Sequence, residues 1–271
     1  MKIEGVVFDW AGTIIDFGSL APMGAFVSLF SRHGVPISID QARVPMGLPK
    51  LDHIRALGAM PEIGQAWRAA HGGQDFTDRD AQTLLLEFEP MSAEAAWQNR
   101  AFIPGFLNTY DWLKSRGIRV ATTTGYTRRI MTPVIEYARA LGFTPDAVIC
   151  CDDVLRSRPD PMGMFACCEA MGLKPGAHII KVDDTAPGIE EGRNAGCYTI
   201  GVAASGNAMG WSLSEWENGD PSRRKEALAV AEQRLRTAGA DLVLASVADL
   251  PQAIERMEQA QGQYESSGSA A

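Results

Sequence analysis

The chain has 271 residues, 46% of them hydrophobic and 21% charged, which is enough apolar material for one large domain or two unequal ones. Its formal net charge of −8 gives no basic footprint of the kind that nucleic-acid-binding proteins carry, so we expect no nucleic-acid partner. The sequence shows neither a long apolar run typical of a membrane span nor a signal-peptide layout, so we expect a cytoplasmic protein with no membrane partner.

The first part of the chain is predicted to be one strand followed by helices. Residues 3–8 (IEGVVF) are typical of a short buried strand, and residues 22–33 form the first predicted helix. Helix formers with apolar residues at three- and four-residue spacing continue to about residue 100. Proline and glycine interrupt this tract, in which we recognise no convincing strand.

After residue 105 the pattern changes to helices that alternate with short apolar strands. The strands are predicted at IRVATTT, DAVICC, HIIKVDD, CYTIGVA and ADLVLAS, each preceded by a helical segment. Such alternation indicates a parallel sheet covered by helices on both faces. We therefore predict an α/β fold with a Rossmann-like core at 1–20 and 101–260, an inserted α-helical cap at 21–100, and a disordered tail at 261–271.

Polar side chains stand at the carboxyl ends of three predicted strands. Asp9 follows the first strand, Thr122–Thr124 end the second, and Asp183 and Asp184 end the fourth. Arg158 lies in the loop after the third strand, in the stretch RSRPDP. Because ligands of open α/β sheets bind at this edge, we expect these side chains to form one site under the cap.

These motifs, in this order, resemble those of the haloacid dehalogenase superfamily of phosphotransferases. The chemistry agrees, because two carboxylates can hold Mg²⁺ while the second oxygen of Asp9 attacks phosphorus to form an aspartyl-phosphate. The hydroxyls of Thr123 and Thr124 and the backbone N–H groups near Gly125 are expected to bind the phosphoryl oxygens. The guanidinium of Arg158 would complete this clamp.

The same resemblance implies a set of metal ligands. They are Asp9, the backbone carbonyl of Ala11 and Asp184, with Asp183 as second choice because it stands where the family often has glycine. A further acid often follows four residues after the position of Asp184, but here that residue is Gly188. The sequence therefore does not identify which residues surround the metal ligands. Asp184 is also a candidate N-cap of the helix that follows it.

Ala11 is the most unusual residue among these motifs. Phosphatases of the superfamily carry there an aspartate that protonates the departing alkoxide, so either this enzyme is crippled or its leaving group needs no acid. In the predicted cap, Lys50 opens a helix within VPMGLPKLDHIRAL, where the helix dipole and burial would both lower its pKa. A neutral lysine amine forms a Schiff base with an aldehyde, which lets a C–P bond break without that acid.

Together, FDWAGT, PMGLPKLDHIRAL, TTTGYTR, RPDP and KVDDT resemble the phosphonoacetaldehyde hydrolase (phosphonatase) family. The resemblance implies that Lys50 is the Schiff-base lysine, with Met46 and His53 beside it, and that His53 relays protons. It also implies Mg²⁺ as cofactor, a homodimer, and hydrolysis of a small-molecule phosphonate, phosphonoacetaldehyde, to acetaldehyde and phosphate. That reaction belongs to the degradation of 2-aminoethylphosphonate.

Several alternatives stay open at the level of sequence. Lys50 also fits a solvated cap lysine, His53 a packing histidine, and Arg158 a surface residue beside a proline turn, while threonines are common in strands anyway. The same motifs also fit a phosphate-monoester phosphatase or mutase, or a non-catalytic relative that binds a ligand.

Overall fold

The structure, a computed structural model, describes the backbone of residues 2–268 and the side-chain surroundings of residues 2–260. A parallel six-stranded sheet forms its centre, with strand order β3-β2-β1-β4-β5-β6. The strands are β1 (Gly5–Phe8), β2 (Arg119–Thr123), β3 (Ala147–Ile149), β4 (Ile179–Asp183), β5 (Tyr198–Val202) and β6 (Leu242–Leu244). The predicted parallel α/β fold is confirmed.

Twelve α-helices and one short 3₁₀ helix (Val247–Asp249) are present among the described residues, and five of the α-helices lie between β1 and β2. These five are α1 (Ala21–Arg32), α2 (Ile39–Arg43), α3 (Lys50–Gly58), α4 (Pro61–Ala70) and α5 (Asp78–Gln98). The others are α6 (Phe106–Ser115), α7 (Arg128–Ala140), α8 (Met162–Met171), α9 (Ala186–Asn194), α10 (Leu213–Asn218), α11 (Pro221–Thr237) and α12 (Leu250–Gly268). Within residues 2–268, none of the helices has the length and apolarity that spanning a membrane requires.

The position of β1 in the sheet determines where Asp9 lies. β1 pairs with β2 on one side and with β4 on the other, so that Phe8 stands opposite Thr122 and Val182. Its four residues are all buried, as expected of a strand covered on both faces. The residue that follows β1 therefore lies between the carboxyl ends of two neighbouring strands, where open α/β sheets bind their ligands.

Helices α1 to α5 bury their apolar side chains mainly against one another. Phe26, Trp67 and Phe88 belong to a hydrophobic cluster that is separate from the cluster around Phe8 and Phe106 under the sheet. The rings of Phe26 and Phe88 are stacked with centroids 4.2 Å apart. We refer below to residues 21–100 as the cap and to the remainder as the core.

The C-terminal end of the chain is more helical than predicted. The segment between β5 and β6 contains α10 as well as α11, and the first turn of α10 is closed by a capping box between Ser212 and Glu215. Helix α12 runs to Gly268 and so covers much of the segment 261–271 predicted to be disordered. The added residues QGQYESSG include weak helix formers, but extending an existing helix costs much less than starting a new one. Residues 269–271 lie outside the described part of the chain.

The packing of the cap predicts a large difference between two positions on α5. Phe88 is fully buried, whereas Leu86 is 73% exposed two residues earlier. We expect Phe88→Ala to lower the free energy of unfolding by about 3–5 kcal/mol through lost burial and the cavity left behind. Leu86→Ala, the matched control, should change it by about 0.5 kcal/mol or less. Chemical denaturation measures both, and equal effects would contradict a cap core centred on Phe88.

Candidate active site

Three aspartates converge at the carboxyl edge of the sheet, as the sequence predicts. Asp9 follows β1, Asp183 ends β4, and Asp184 comes next in the chain. All three are buried, and each offers a carboxylate oxygen within 4.8 Å of those of the other two. A buried set of oxygen donors of this kind suits a hard divalent cation.

Arg158 is a buried residue, so its interpretation as a surface residue near a proline turn is wrong. Its Nη2 atom lies 2.8 Å from Oδ1 of Asp9 and donates to Oγ1 of Thr123 at 2.7 Å. Nε donates to the carboxylate of Glu191 at 3.0 Å. Burial alone would lower the pKa of this guanidinium, but the carboxylates of Asp9, Asp183 and Glu191 outweigh burial and raise it.

Sequence reasoning missed two members of this ionic network, Lys181 on β4 and Glu191 on α9. Nζ of Lys181 lies 3.1 Å from both Asp183 and Glu191 and donates to the hydroxyl of Thr123 at 2.6 Å. A signal for Lys181 existed, since a lysine inside the apolar strand HIIKVDD needs a buried partner. Glu191 gave no such signal, because it looks like an ordinary residue of a charged helix.

The three threonines at the end of β2 face different surroundings because successive strand residues point to opposite faces. The hydroxyl of Thr122 accepts from Nε1 of Trp10 at 2.8 Å, on the face away from Lys181. Thr123 donates to Glu191 at 2.8 Å and accepts from the two cations, so its hydroxyl is already committed. Thr124 instead lines the cavity above Asp9. Of the two threonines predicted to bind phosphoryl oxygens, Thr124 therefore lies in the cavity wall and Thr123 does not.

Asp183 and Asp184 have opposite electrostatic surroundings. Burial would raise the pKa of Asp183, but Arg158 and Lys181 outweigh burial and lower it. The pKa of Asp184 is raised well above its usual value by burial and then by the charges of Asp9 and Asp183. Burial also raises the pKa of Asp9, although Arg158 opposes it. The negative charge in excess therefore sits on the side of Asp9 and Asp184, which favours these two as ligands of a cation.

The hydrogen bonds of the two aspartates also separate their roles. Asp184 accepts from the hydroxyl of Thr13 at 3.1 Å and from the backbone N–H of Asn207 at 2.7 Å. The N-cap of α9 is Thr185, so the interpretation of Asp184 as the N-cap is wrong. Oδ1 of Asp183 accepts from both the N–H and the hydroxyl of Thr185, at 3.0 and 2.8 Å.

Gly188 leaves room for the carboxylate of Asp183. A Cβ atom built on Gly188 would overlap both oxygens and Cγ of Asp183. The space next to α9 is thus filled by a side chain from the end of β4. This packing accounts for glycine at the position where the family often has an acid.

Lys50 lies inside a small cavity between cap and core, so its interpretation as a solvated cap lysine is wrong. The residue is 4% exposed. The cavity brings together the residues that the sequence assigned to phosphoryl transfer and to Schiff-base formation. It is lined by Asp9, Ala11, Ser19, Pro22, Met46, Gly47, Lys50, Thr124, Gly125, Tyr126, Arg158 and Thr185.

Two glycines allow the turn before Lys50 to approach the core this closely. Gly47 has φ +95°, and a Cβ there would overlap the hydroxyl of Thr185. On the core side, a Cβ on Gly125 would lie 3.1 Å from the carbonyl oxygen of Leu48. Glycine at position 47 both tolerates the positive φ and avoids a clash with Thr185. The turn can therefore lie close to the core, which places Lys50 in the same cavity as Asp9.

The surroundings of Lys50 favour its neutral form. Its pKa is lowered to about 8, chiefly by burial, with a smaller contribution from Arg158 and with Cys151, Asp9 and Asp16 acting in the opposite sense. Nζ lies 4.6 Å from the ring centroid of Tyr126. At pH 7 a lysine with this pKa is neutral in roughly one molecule in ten, against roughly one in a few thousand for a free lysine, and the neutral amine is the nucleophilic form.

His53 lies behind Lys50 rather than in the wall of the cavity. Its ring stacks on Phe26 with centroids 3.9 Å apart, and Nε2 donates to the carbonyl of Ala42 at 2.9 Å, which assigns the tautomer. Burial, and then the charge of Lys50, hold its pKa well below the usual value, so the ring stays neutral. The packing interpretation describes these contacts, and Nδ1 is buried without a partner among the described residues.

Tyr126 is a further cavity residue that sequence reasoning did not select. Its hydroxyl is buried without a hydrogen-bond partner among the described residues, and burial together with Asp16 and Asp9 raises its pKa. Its place directly after Gly125 in TTTGYTR was the available signal.

Comparison with known proteins identifies the family of this chain. The family model for haloacid dehalogenase-like hydrolases matches residues 3–196. Several solved structures, such as the β-phosphoglucomutase of Clostridium difficile (TM-score 0.66, 16% identity, 96% of this chain and 98% of that chain), share the fold at low sequence identity. The predicted haloacid dehalogenase type of fold is confirmed.

Closer relatives carry a common name. The phosphonoacetaldehyde hydrolase of Paraburkholderia xenovorans is 43% identical over 248 residues, 92% of each chain, and that of Hahella chejuensis is 40% identical over 94% of this chain and 87% of its own. The crystal structure of a phosphonoacetaldehyde hydrolase-like protein from Oleispira antarctica matches with a TM-score of 0.93 and 38% identity, covering 96% of this chain and 94% of that one. The chain is therefore a hydrolase of the haloacid dehalogenase-like family and belongs, within it, to the family of the phosphonoacetaldehyde hydrolases.

Proposed function

We propose that this enzyme hydrolyses the C–P bond of phosphonoacetaldehyde to acetaldehyde and phosphate, as a step in the degradation of 2-aminoethylphosphonate. One observation carries the proposal: the buried amine of Lys50 shares a small cavity with Asp9 and Ala11. A nucleophile for phosphorus and a nucleophile for an aldehyde thus face the same enclosed space. The residue that would protonate an alkoxide is replaced there by a methyl group.

The first step uses the neutral amine of Lys50. The amine adds to the aldehyde carbon, and loss of water leaves an iminium whose positive carbon is two bonds from phosphorus. The ring faces of Tyr126 and Phe26, 4.6 and 5.8 Å from Nζ, stabilise this positive charge. Met46 contributes an apolar wall to the cavity, which keeps bulk water away from the imine.

The second step transfers the phosphoryl group to Asp9. A carboxylate oxygen of Asp9 attacks phosphorus, the C–P bond breaks, and its electron pair moves into the iminium to give an enamine. No proton is needed from position 11, which explains why Ala11 suffices. Arg158, 2.8 Å from Asp9, orients the nucleophile and stabilises the negative charge of the transferred phosphoryl oxygens. Thr124 and the N–H groups near Gly125 bind the same oxygens.

Water then completes the cycle. Attack of water on the aspartyl-phosphate of Asp9 releases phosphate and restores the carboxylate. Protonation of the enamine carbon followed by hydrolysis of the imine releases acetaldehyde and frees the amine of Lys50. His53 is neutral and has a buried acceptor nitrogen, so we propose that it assists these proton transfers through a water molecule.

Mg²⁺ is the proposed cofactor, held by Asp9, Asp184 and the backbone carbonyl of Ala11. The buried oxygen donors and the excess negative charge on Asp9 and Asp184 fit a hard divalent cation. When bound, it neutralises charge on the transferring phosphoryl group. Asp183 forms ion pairs with Arg158 and Lys181, and its proposed role is to hold these two side chains in position.

A homodimer and a cytoplasmic location are further proposals that rest on the family resemblance. The apolar side chains Phe26, Leu29 and Phe30 of the helix segment 22–30 are fully buried inside the cap, so they do not offer an interface. The proposed dimer must therefore use other surfaces of the chain.

Trapping the imine tests the central step. With phosphonoacetaldehyde and borohydride, we expect peptide mass spectrometry to detect a covalent adduct on Lys50. The rate of phosphate release by Lys50→Ala should be at least about a thousandfold lower than that of wild type, as for other covalent nucleophiles. Lys114→Ala, which removes an exposed lysine of the core, should behave as wild type. Full turnover by Lys50→Ala, or hydrolysis of simple phosphate esters instead, would favour an ordinary phosphatase.

The pKa of Lys50 makes a prediction that is independent of substrate. Only the neutral amine reacts with acetic anhydride, so the acetylation rate of Lys50 should rise with pH and reach half its maximum at about pH 8. Competitive labelling followed by peptide mass spectrometry measures this midpoint. A midpoint at about 10.4, the value of a free lysine, would contradict the proposed activation by burial.

The packing of Gly188 against Asp183 predicts a strong effect of one methyl group. Gly188→Ala should displace the carboxylate of Asp183 from Arg158 and Lys181, lowering kcat at least about tenfold, a magnitude typical of misplaced active-site groups. The control is Gly24→Ala, a helical position where a Cβ meets nothing within 4 Å. Phosphate release measures both variants, and wild-type activity in Gly188→Ala would show that the position of Asp183 is unimportant.

A further inference from the structure

We propose that Arg43 in the cap is a positioning residue that latches the cap onto the core loop 205–210 and thereby holds Asp184 in place when Lys50 enters the site. The residue lies at the end of α2, seven residues before Lys50 in the chain. The proposed latch concerns closure of the cap and does not depend on the reaction that the enzyme catalyses. Only its effect on turnover rests on the proposed function.

The guanidinium of Arg43 joins three parts of the molecule. Nη1 donates to the carbonyl of Gly18, in the linker before α1, at 3.1 Å. The same nitrogen donates to the side-chain oxygen of Asn207 at 3.1 Å and to its carbonyl at 3.3 Å, while Nη2 donates to the carbonyl of Gly210 at 3.2 Å. Nδ2 of Asn207 returns a hydrogen bond to the carbonyl of Arg43 at 3.3 Å.

The loop that receives Arg43 also supports the catalytic edge of the sheet. The backbone N–H of Asn207 donates to Oδ2 of Asp184 at 2.7 Å. Oγ of Ser205 donates to the carbonyl of Gly12, three residues after Asp9, at 2.7 Å. The loop therefore contacts the cap through one side and both strand-end motifs through the other, so a shift of the loop moves the carboxylate of Asp184.

These bonds are specific for the closed position of the cap. The acceptors of Arg43 lie outside the cap, in the linker and the core loop, so the bonds break when α2 moves away. An interaction made in only one of two positions shifts the population toward that position. Burial lowers the pKa of Arg43, whereas Asp16, Asp40 and Asp184 raise it, and the side chain remains a cation that donates to all these acceptors.

The planar fork of arginine is matched to this loop. Gly210 has φ +66°, and a Cβ there would lie 2.7 Å from Cζ of Arg43. A side chain at position 210 would thus displace the guanidinium of Arg43 from its hydrogen-bond acceptors in the loop. A lysine at position 43 has a single nitrogen, so it cannot replace both Nη1, which contacts Gly18 and Asn207, and Nη2, which contacts Gly210.

The test compares Arg43→Ala and Arg43→Lys with Arg68→Ala, a cap arginine whose partner Asp75 is also exposed. We expect Arg43→Ala to raise the acetylation rate of Lys50 by acetic anhydride at least fivefold in the absence of substrate. It should also raise the Mg²⁺ concentration needed for half of the thermal-shift response at least threefold, and lower kcat at least tenfold. Arg43→Lys should recover part of each effect, and Arg68→Ala should match wild type.

Two further variants separate the parts of the latch. Asn207→Ala removes the side-chain bonds to Arg43 but keeps the N–H that donates to Asp184. It should therefore raise Lys50 acetylation with a smaller change in the Mg²⁺ response. Gly210→Ala should reproduce the Arg43→Ala labelling, and it serves if that variant is too unstable to purify.

Two results would overturn the proposal. A wild-type labelling rate of Lys50 in both Arg43→Ala and Gly210→Ala would exclude a latch. Faster labelling with an unchanged Mg²⁺ response in Arg43→Ala would exclude the link to Asp184. Neither readout uses phosphonoacetaldehyde, so a failure of the proposed function, seen as no phosphate release by the wild-type enzyme, is recognised separately.

Discussion

The ionic network around Arg158 is the constraint on which the site depends. Four buried carboxylates, those of Asp9, Asp183, Asp184 and Glu191, meet at the carboxyl edge of the sheet, and Arg158 contacts three of them. Removing charges from water is costly unless opposite charges and hydrogen bonds replace it. Arg158 and Lys181 supply this compensation on the side of Asp183 and Glu191. The other side, around Asp9 and Asp184, keeps excess negative charge and so favours a cation.

The cap adds the second requirement, an amine enclosed next to that charged edge. The turn containing Gly47 rests on Gly125 and Thr185, which brings Lys50 into the cavity beside Ala11. Enclosure excludes water, and the resulting loss of solvation favours the neutral amine. The cavity beside Lys50 is small, so we expect that substrate enters when the cap moves. Contacts between cap and core, such as those of Arg43, therefore influence both access and the geometry of the site.

Sequence reasoning succeeded where the signal was local. The strand-end positions of Asp9 and Asp184, and the helix start at Lys50, follow from short motifs and from the alternation of strands and helices. It failed where the partner was distant in the chain. Thr123 was expected to bind phosphoryl oxygens together with Thr124 because strand alternation alone does not say which face carries Lys181 and Glu191. Asp183 remained the second choice of metal ligand because one of its cationic neighbours, Arg158, comes from a loop distant in the chain.

The sequence by itself determined the parallel α/β architecture, the insertion of helices after β1, and the residue types available for chemistry, since these depend on periodicity and on local propensity. Only the tertiary structure decided how those residues divide their roles. Gly188 leaves room for the carboxylate of Asp183, and Gly47 lets the turn before Lys50 approach the core, because both positions depend on which atoms fill a given volume. Arg158 forms ion pairs with Asp9 and Glu191, which come from distant parts of the chain. Excluded volume and charge compensation act between residues far apart in the chain, and no spacing rule encodes them.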